Sequence, residues 1–211
     1  MSIEAIYDAV LNGDAKKAAS ATEAALAAKV PAEEILHKAC IPAMAEVGRQ
    51  FEAGEKFVPE MLISARAMQA AMNVLRPILV QQDIKPLGTV VIGTVSGDLH
   101  DIGKNLVKMM MEGAGFNVID LGVDVSPQKF VETARQNNAQ IIAMSALLTT
   151  TMPGMKTTID TLKEAGLHGK VKVMIGGAPI TQDFADEIGA DGFAPDASSA
   201  TRKAKQLLGV A

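Results

Sequence analysis

The sequence has no tryptophan, one cysteine and only three histidines among its 211 residues. A single thiol, Cys40, excludes an internal disulfide and is typical of proteins of the reducing cytoplasm. The three imidazoles belong to His37, His100 and His168, and their scarcity limits any metal site built from protein side chains. Methionine, with 12 residues, is abundant by comparison and is expected to fill irregular gaps in helix packing.

Long basic runs and long apolar runs are also absent. The net charge is −4 without a basic cluster, which argues against nucleic acid or an anionic membrane surface as a partner. No apolar run approaches the roughly 20 residues of a membrane span, so no membrane partner is expected. The first residues, "MSIEAIYDAV", are acidic and amphipathic and do not read as a signal peptide. Hydrophobic residues at 48% instead predict a globular protein.

Residues 1–80 show only helical patterns. Asp14 is placed to cap one helix, Pro31 suits the start of the next, and Pro42 predicts a kink or break within it. Beyond Pro59, apolar residues recur every three or four positions, as a helix packed in a bundle requires. We therefore predict a four-helix bundle domain over 1–80, followed by a polar linker over 81–88.

Residues 89–211 show a different pattern. Short runs rich in Val and Ile alternate with helix-length segments; the runs are "TVVIGTV", "FNVIDLG", "QIIAMSAL", "KVKVMIGG" and "DGFAP". Such alternation predicts an α/β domain with a flavodoxin-like, doubly wound sheet of five parallel strands. Ligands of these sheets bind outside the carboxyl ends of the strands. The loops that begin near Asp98, Ser145 and Gly176 are therefore expected to meet at one edge.

A phosphate-binding loop is the first alternative for the segment "GDLHDIGKN". Five residues separate Gly97 from Gly103, where a P-loop has four, and Asn105 replaces the magnesium-binding Ser or Thr. Two aspartates would also repel phosphate, so the P-loop is rejected. A phosphorylated receiver domain shares the topology, but Ser145 stands where its phosphoacceptor Asp would lie. The receiver domain therefore remains only a weak alternative, favoured by topology alone.

A metal site is the next alternative, because Asp98, His100 and Asp101 could ligate one ion. Zinc or iron would require a further His or Cys, and magnesium has little need for an imidazole. An ordinary solvated loop would leave the small residues Gly103 and Ser145 unexplained. The interpretation that remains is a single imidazole ligand for a metal that brings a macrocycle with it. Asp98, two residues before His100, can fix the ring tautomer and aim the other nitrogen at that metal.

These residues resemble the cobalamin-binding corrinoid proteins of methyltransferase systems, and the cobalamin module of cobalamin-dependent methionine synthase. The family pattern is D-x-H-D-x-G, then S-x-L, then G-G. Here Asp98 to Gly103 are followed after 41 residues by Ser145 to Leu147, and after a further 28 by Gly176-Gly177. Residues 1–80 contain "FEAGEKFVPEMLISARAM", which is similar to the helical cap of the family. The resemblance therefore spans nearly the whole chain and implies a cobalamin-binding domain over 89–211.

The resemblance implies a role for each residue of the pattern. His100 would be the lower axial ligand of cobalt, Asp98 would hold its ring and accept its proton, and the Thr151 hydroxyl would hydrogen-bond to Asp98. Phe57 and Met61 of the cap would cover the upper face of the cofactor. The residues expected to contact the cobalamin or related corrinoid from the α/β domain are Asp98, His100, Asp101, Ile102, Gly103, Ser145, Leu147, Thr149, Gly176 and Gly177.

The same resemblance implies a function in methyl transfer. A methyl group carried on cobalt would pass from a substrate-specific corrinoid methyltransferase to a second methyltransferase that acts on a folate or a thiol, with a reductive activase as a further partner. Methylamines, methanol and methoxylated aromatics all remain possible donors. The chain has no second catalytic constellation, so we expect a non-autonomous subunit of a methyltransferase system. A cobalamin-binding sensor is the alternative, although the DNA-binding or signalling element expected of a sensor is not evident.

Overall fold

The computed structural model describes residues 3–210, and the chain divides into two compact units. One unit comprises Met1–Lys85 together with Gly113–Gly115, and the other comprises Pro86–Glu112 and Phe116–Ala211. Within residues 3–210, no helix is long and apolar enough to cross a membrane.

The first unit is a bundle of helices, with bounds Ile3–Leu11 (α1), Ala15–Ala27 (α2), Ala32–Ile35 (α3), Ile41–Glu52 (α4) and Val58–Gln81 (α5). Because α3 and α4 belong to one continuous helical segment, the unit has the four helical segments that the sequence predicted. Asp14 caps α2 as expected, since its carboxylate accepts a hydrogen bond of 2.9 Å from the Lys17 N–H. The predicted apolar stripe of α5 is buried at Met61, Ala65, Met68, Leu75 and Leu79.

The chain does not break at Pro42. A π-helical turn, Leu36–Cys40, joins α3 to α4, and the Ile41 N–H donates to the Leu36 carbonyl. A proline lacks the N–H that an α-helix requires, and its ring crowds the carbonyl of the preceding turn. The wider π turn, just before the proline, accommodates this conflict within a continuous helical segment.

The second unit is an α/β domain in which five strands alternate with helices. The strands are Thr89–Thr94 (β1), Asn117–Asp120 (β2), Ile141–Ser145 (β3), Lys172–Gly176 (β4) and Gly192–Phe193 (β5). The helices are Ile102–Gly113 (α6), Pro127–Gln136 (α7), Pro153–Glu164 (α8), Gln182–Ile188 (α9) and Ala197–Leu208 (α10).

All five strands are parallel and lie in the order β2-β1-β3-β4-β5, which confirms the predicted doubly wound, flavodoxin-like sheet. The central strands are buried on both faces, because helices pack on each side of a parallel sheet. This explains why these strands read as continuous Val and Ile runs. Buried residues on one face include Val91, Ile142, Met144, Val173 and Ile175.

Candidate functional site

The carboxyl ends of three strands lie side by side at one edge of the sheet. Thr94 at the end of β1 pairs with Ser145 at the end of β3, and Ser145 pairs with Gly176 at the end of β4. The three loops singled out by the sequence therefore leave the sheet from adjacent positions. This confirms the expectation drawn from the topology.

The Asp98 carboxylate joins the first two of these loops and is fully buried, at 0% exposure. Its Oδ2 accepts hydrogen bonds from the backbone N–H of Leu147 at 2.7 Å and of Leu148 at 3.3 Å. Thr151 Oγ1 lies 2.8 Å from the same oxygen and 2.8 Å from the Leu148 carbonyl oxygen. The single hydroxyl hydrogen of Thr151 serves one of these acceptors at a time. The β3–α8 loop thus occupies one oxygen of Asp98 and leaves the other for His100.

His100 is held through the second oxygen of Asp98. The Oδ1 atom accepts a 3.1 Å hydrogen bond from the His100 backbone N–H and lies 2.7 Å from ring atom Nδ1. The Thr94 hydroxyl donates to the His100 carbonyl at 2.9 Å, which fixes the loop backbone from the end of β1. The His100 side chain is 52% exposed, and no other group within residues 3–210 forms a hydrogen bond with its ring. The imidazole therefore has one nitrogen tied down and offers Nε2 to a ligand.

Two opposing effects set the pKa of Asp98. Burial by itself raises the pKa, but hydrogen bonds from the Leu147 N–H, from the ring and backbone of His100 and from Thr151 stabilise the anion. The hydrogen bonds outweigh burial, and the pKa lies well below its ordinary value. At neutral pH the carboxylate is thus charged and favours the tautomer of His100 with its proton on Nδ1. The lone pair of Nε2 is then available to a metal.

A second set of polar groups anchors the first turn of α6. Lys104 is 2% exposed, and its Nζ lies 2.7 Å from Asp120 Oδ1 and 2.7 Å from Asn105 Oδ1. Asn105 in turn donates to Asp101 Oδ2 at 3.0 Å. Asp101, predicted as a cofactor contact, is thereby connected to a partly buried ion pair. The motif search missed Lys104 and Asp120, since nothing in their spacing shows that the ends of α6 and β2 meet.

Exposed apolar side chains accompany the His100 motif. Leu99 is 70% and Ile102 is 77% exposed, and Leu147 and Leu148 on the neighbouring loop are also exposed. Large apolar side chains left exposed on adjoining loops are typical of a ligand-binding surface. Sequence reasoning named Ile102 and Leu147 but missed Leu99 and Leu148. Ser145 is half-buried and Thr149 is exposed on the same β3–α8 segment.

The glycines of the motif differ in what they contact. A Cβ added to Gly103 would meet no heavy atom within 4 Å, so the protein itself does not require glycine there. A Cβ on Gly177 would lie 1.9 Å from the Ala146 carbonyl oxygen, at a φ of +133°. Gly176 is also tight, with the Ala194 carbonyl oxygen 3.0 Å from an added Cβ. The backbone around Ala146 thus requires glycine at position 177, and Gly176 has little room for a side chain, whereas Gly103 leaves open space for a ligand.

Comparison with known families agrees with this geometry. Residues 88–203 match the B12 binding domain, and residues 2–76 match a second family also described as a B12 binding domain. The chain belongs to the B12-binding corrinoid proteins. Its cofactor is a cobalamin or related corrinoid, as the resemblance implied.

Relatives and solved structures extend this assignment over almost the full chain. Trimethylamine corrinoid protein 1 of Methanosarcina acetivorans is 46% identical over 95% of this chain and 94% of its own. Dimethylamine corrinoid protein 3 of the same organism is 46% identical over 96% and 95%. The corrinoid protein also matches the methanol:cobalamin methyltransferase complex MtaBC of Methanosarcina barkeri, with a TM-score of 0.87 and 28% identity over 99% of this chain and 80% of that one.

The donor groups of the corrinoid protein suit a metal that arrives with ligands of its own. Across residues 3–210, no three His, Cys, Asp or Glu side chains converge to form a metal site. One available imidazole nitrogen, with exposed leucine and isoleucine side chains on the same and the adjoining loop, instead fits a corrinoid. The ring of this cofactor would supply the remaining ligands of cobalt and an apolar face. His100 would hold the metal, and Leu99, Ile102 and Leu147 would contact the ring.

The two residues predicted from the helical unit differ in exposure. Phe57 is 65% exposed, whereas Met61 is 2% exposed and belongs to the buried stripe of α5. Phe57 thus offers a large apolar surface, and Met61 does not. Their expected place over the upper face of the corrinoid stays a prediction.

Proposed function

We propose that this corrinoid protein carries methyl groups from a methylamine:corrinoid methyltransferase to a second methyltransferase. The observation that carries the proposal is the Asp98–His100 pair, which presents a single free imidazole nitrogen at an exposed apolar edge. A corrinoid bound there supplies a cobalt ion that can accept a methyl group and release it again.

The residues of the chain would bind and orient this cofactor. His100 Nε2 would ligate the metal, while Asp98 holds Nδ1 at 2.7 Å and keeps the ring in one orientation. Thr151 and the amides of Leu147 and Leu148 hold the Asp98 carboxylate in turn. A proton taken up at this pair would weaken ligation by His100, and its loss would strengthen it. The protonation of the Asp98–His100 pair would therefore be coupled to the charge of the metal.

The division of labour follows from what the site contains. The residues at this end of the sheet would bind the metal and contact the corrinoid ring, and none is assigned to activating a methyl donor. We therefore assign that activation to a partner protein. A methyltransferase partner agrees with the similarity to MtaBC, a methanol:cobalamin methyltransferase complex. We extend the proposal to a second methyltransferase with a folate or thiol acceptor, and to a reductive activase that restores the metal after adventitious oxidation.

Methylamines are the donor class that the relatives favour. The relatives compared above are named for trimethylamine and dimethylamine, at 46% identity in each case. Methanol is the less favoured donor, because identity to the methanol complex is only 28%. These relatives also favour a carrier over the alternative of a cobalamin sensor.

Partner-dependent transfer tests the proposal. Protein loaded with hydroxocobalamin and reduced should accept methyl from methyl iodide on its own, because that reagent needs no activation. With methylamines it should accept methyl only after the matching methyltransferase is added. His100→Ala is the site variant. The control is the surface variant Lys38→Ala, which is remote from the motif in sequence. Repeated turnover of a methylamine by the corrinoid protein alone would contradict the proposed division of labour.

A further inference from the structure

Asp124, in the loop between β2 and α7, contacts the backbone on both sides of the Asp98 α-carbon. Its Oδ1 accepts a 2.7 Å hydrogen bond from the Gly97 N–H, which belongs to the Ser96–Gly97 peptide. Its own N–H donates to the Asp98 carbonyl at 3.0 Å. The Ser96 hydroxyl adds a third contact, 3.2 Å from the same Oδ1. Asp124 thus fixes the Ser96–Gly97 peptide on one side of Asp98 and the Asp98–Leu99 peptide on the other, while the Asp98 N–H itself donates to the Val95 carbonyl at 3.1 Å.

The backbone of Asp124 is itself fixed in an unusual conformation. Its φ is +52°, a left-handed value that costs most residues energy and that Asp and Asn tolerate best. The flanking residues are tied to β1, because Gly122 O accepts from the Thr94 N–H at 3.0 Å and Val125 forms a parallel bridge with Val95. The sheet therefore holds Asp124 in the position from which it reaches Gly97 and Asp98.

Two separate loops consequently fix Asp98. The β3–α8 loop holds its carboxylate through Leu147, Leu148 and Thr151, and Asp124 holds its backbone. If the backbone of Asp98 rotated while its carboxylate stayed bound, the Oδ1 atom would no longer face His100 Nδ1. We infer that Asp124 is a positioning residue for the axial ligand, acting through Asp98 on the direction of the His100 ring. This inference rests on the proposed role of His100.

Two substitutions separate the hydrogen bonds from the backbone conformation. Asp124→Gly keeps the left-handed backbone at no steric cost but removes the acceptor for Gly97 and Ser96. Asp124→Asn keeps both a left-handed preference and a side-chain oxygen. Asn138→Gly is the matched control. Asn138 also has a positive φ, of 49°, but it lies in the α7–β3 loop, at the amino ends of the strands and away from the site.

The probe is hydroxocobalamin, bound and reduced to cobalt(II). Electron spin resonance at a fixed neutral pH gives the share of protein whose cobalt shows imidazole nitrogen splitting. We expect the ratio of His-bound to His-free forms to fall about three- to tenfold in Asp124→Gly, as loss of a hydrogen bond to a charged acceptor allows. Asp124→Asn should recover most of that ratio, and Asn138→Gly should equal wild type. Thermal unfolding of the three apo-proteins checks that the fold persists.

A second readout needs no cofactor. The His100 amide donates to Asp98, so its hydrogen exchange in the apo-protein should accelerate in Asp124→Gly and not in Asn138→Gly. Equal nitrogen splitting and equal exchange in Asp124→Gly and wild type would overturn the inference while leaving the proposed function intact. Absence of nitrogen splitting in the wild type itself would instead overturn the proposed role of His100, and the inference with it.

Discussion

The Oδ1 atom of Asp98 lies 2.7 Å from Nδ1 of His100, and a fully buried carboxylate thereby controls a half-exposed imidazole. Within residues 3–210, the other hydrogen bonds to this carboxylate come from the backbone of His100 and from the β3–α8 loop. The orientation of His100, the proposed metal ligand, thus depends on two strand ends that are distant in sequence and adjacent in the sheet.

Acid should destabilise the apo-protein through Asp98. Its pKa is lower in the folded than in the unfolded chain, so its stabilising effect is complete above the unfolded value of about 4. That stability is lost as the pH falls from there toward the folded pKa. We expect Asp98→Asn to be less stable than wild type by about 1–3 kcal/mol at pH 7, with the difference shrinking below pH ~4. Urea unfolding at several pH values measures this, and a difference independent of pH would contradict it.

Thr151 should support Asp98 through its hydroxyl. Thr151→Val preserves shape but removes a donor 2.8 Å from Asp98 Oδ2, and Thr151→Ser restores the donor. In the loaded protein, the pH at which His100 leaves the metal should rise in Thr151→Val, because a carboxylate that has lost a hydrogen-bond donor lets the Asp98–His100 pair take up a proton at higher pH. The midpoint of an absorbance titration reports this change. Coincident titrations of wild type, Thr151→Val and Thr151→Ser would show that the hydroxyl contributes nothing.

The fold could be predicted further than the site. The alternation of Val-rich runs with helix-length segments was enough to predict five parallel strands. The strand order followed from the flavodoxin-like architecture that this alternation indicates. The topology also predicted that the loops carrying Asp98 and Ser145 meet at one end of the sheet, and the strand pairing confirms it. The exposure of Leu99 and Leu148 could not be predicted, because a sequence does not show which apolar residues stay outside the core. The need for glycine at position 177 could not be predicted either, because the Ala146 carbonyl that excludes a side chain there is distant in sequence and close only in the folded protein.

The ion pair of buried Lys104 with half-buried Asp120 should contribute to stability rather than to ligation. Lys104→Met retains most of the side-chain volume but leaves Asp120 without its 2.7 Å partner. Removal of one member of a fully buried pair costs about 3–5 kcal/mol, and the loss should be smaller here, because Asp120 is partly exposed and keeps its contact with Lys108. Urea unfolding measures the change in stability. The control is Lys156→Met, which breaks the exposed ion pair of Lys156 with Asp160 and should lower the free energy of unfolding by less than about 1 kcal/mol. Equal effects of the two substitutions would contradict this account.

Two glycines should respond in opposite ways to alanine. Gly103→Ala adds a methyl group into open space, so the apo-protein should fold normally while corrinoid binding weakens by at least about tenfold through steric contact. Gly177→Ala forces a methyl group against the Ala146 carbonyl and should destabilise the apo-protein by about 2 kcal/mol or more. Thermal unfolding and cobalamin titration separate the two effects. Normal corrinoid affinity in Gly103→Ala would show that the cofactor does not approach this residue.

Spin resonance of the cobalt(II) form tests ligation by His100 most directly. Wild-type protein reconstituted with hydroxocobalamin and reduced should contain one cobalt per chain and show splitting from one imidazole nitrogen. His100→Ala should retain part of its cofactor, because the exposed leucines and isoleucine remain, but should lose the splitting. Unchanged nitrogen splitting in His100→Ala, or wild-type protein that folds but binds no cobalt, would contradict the account.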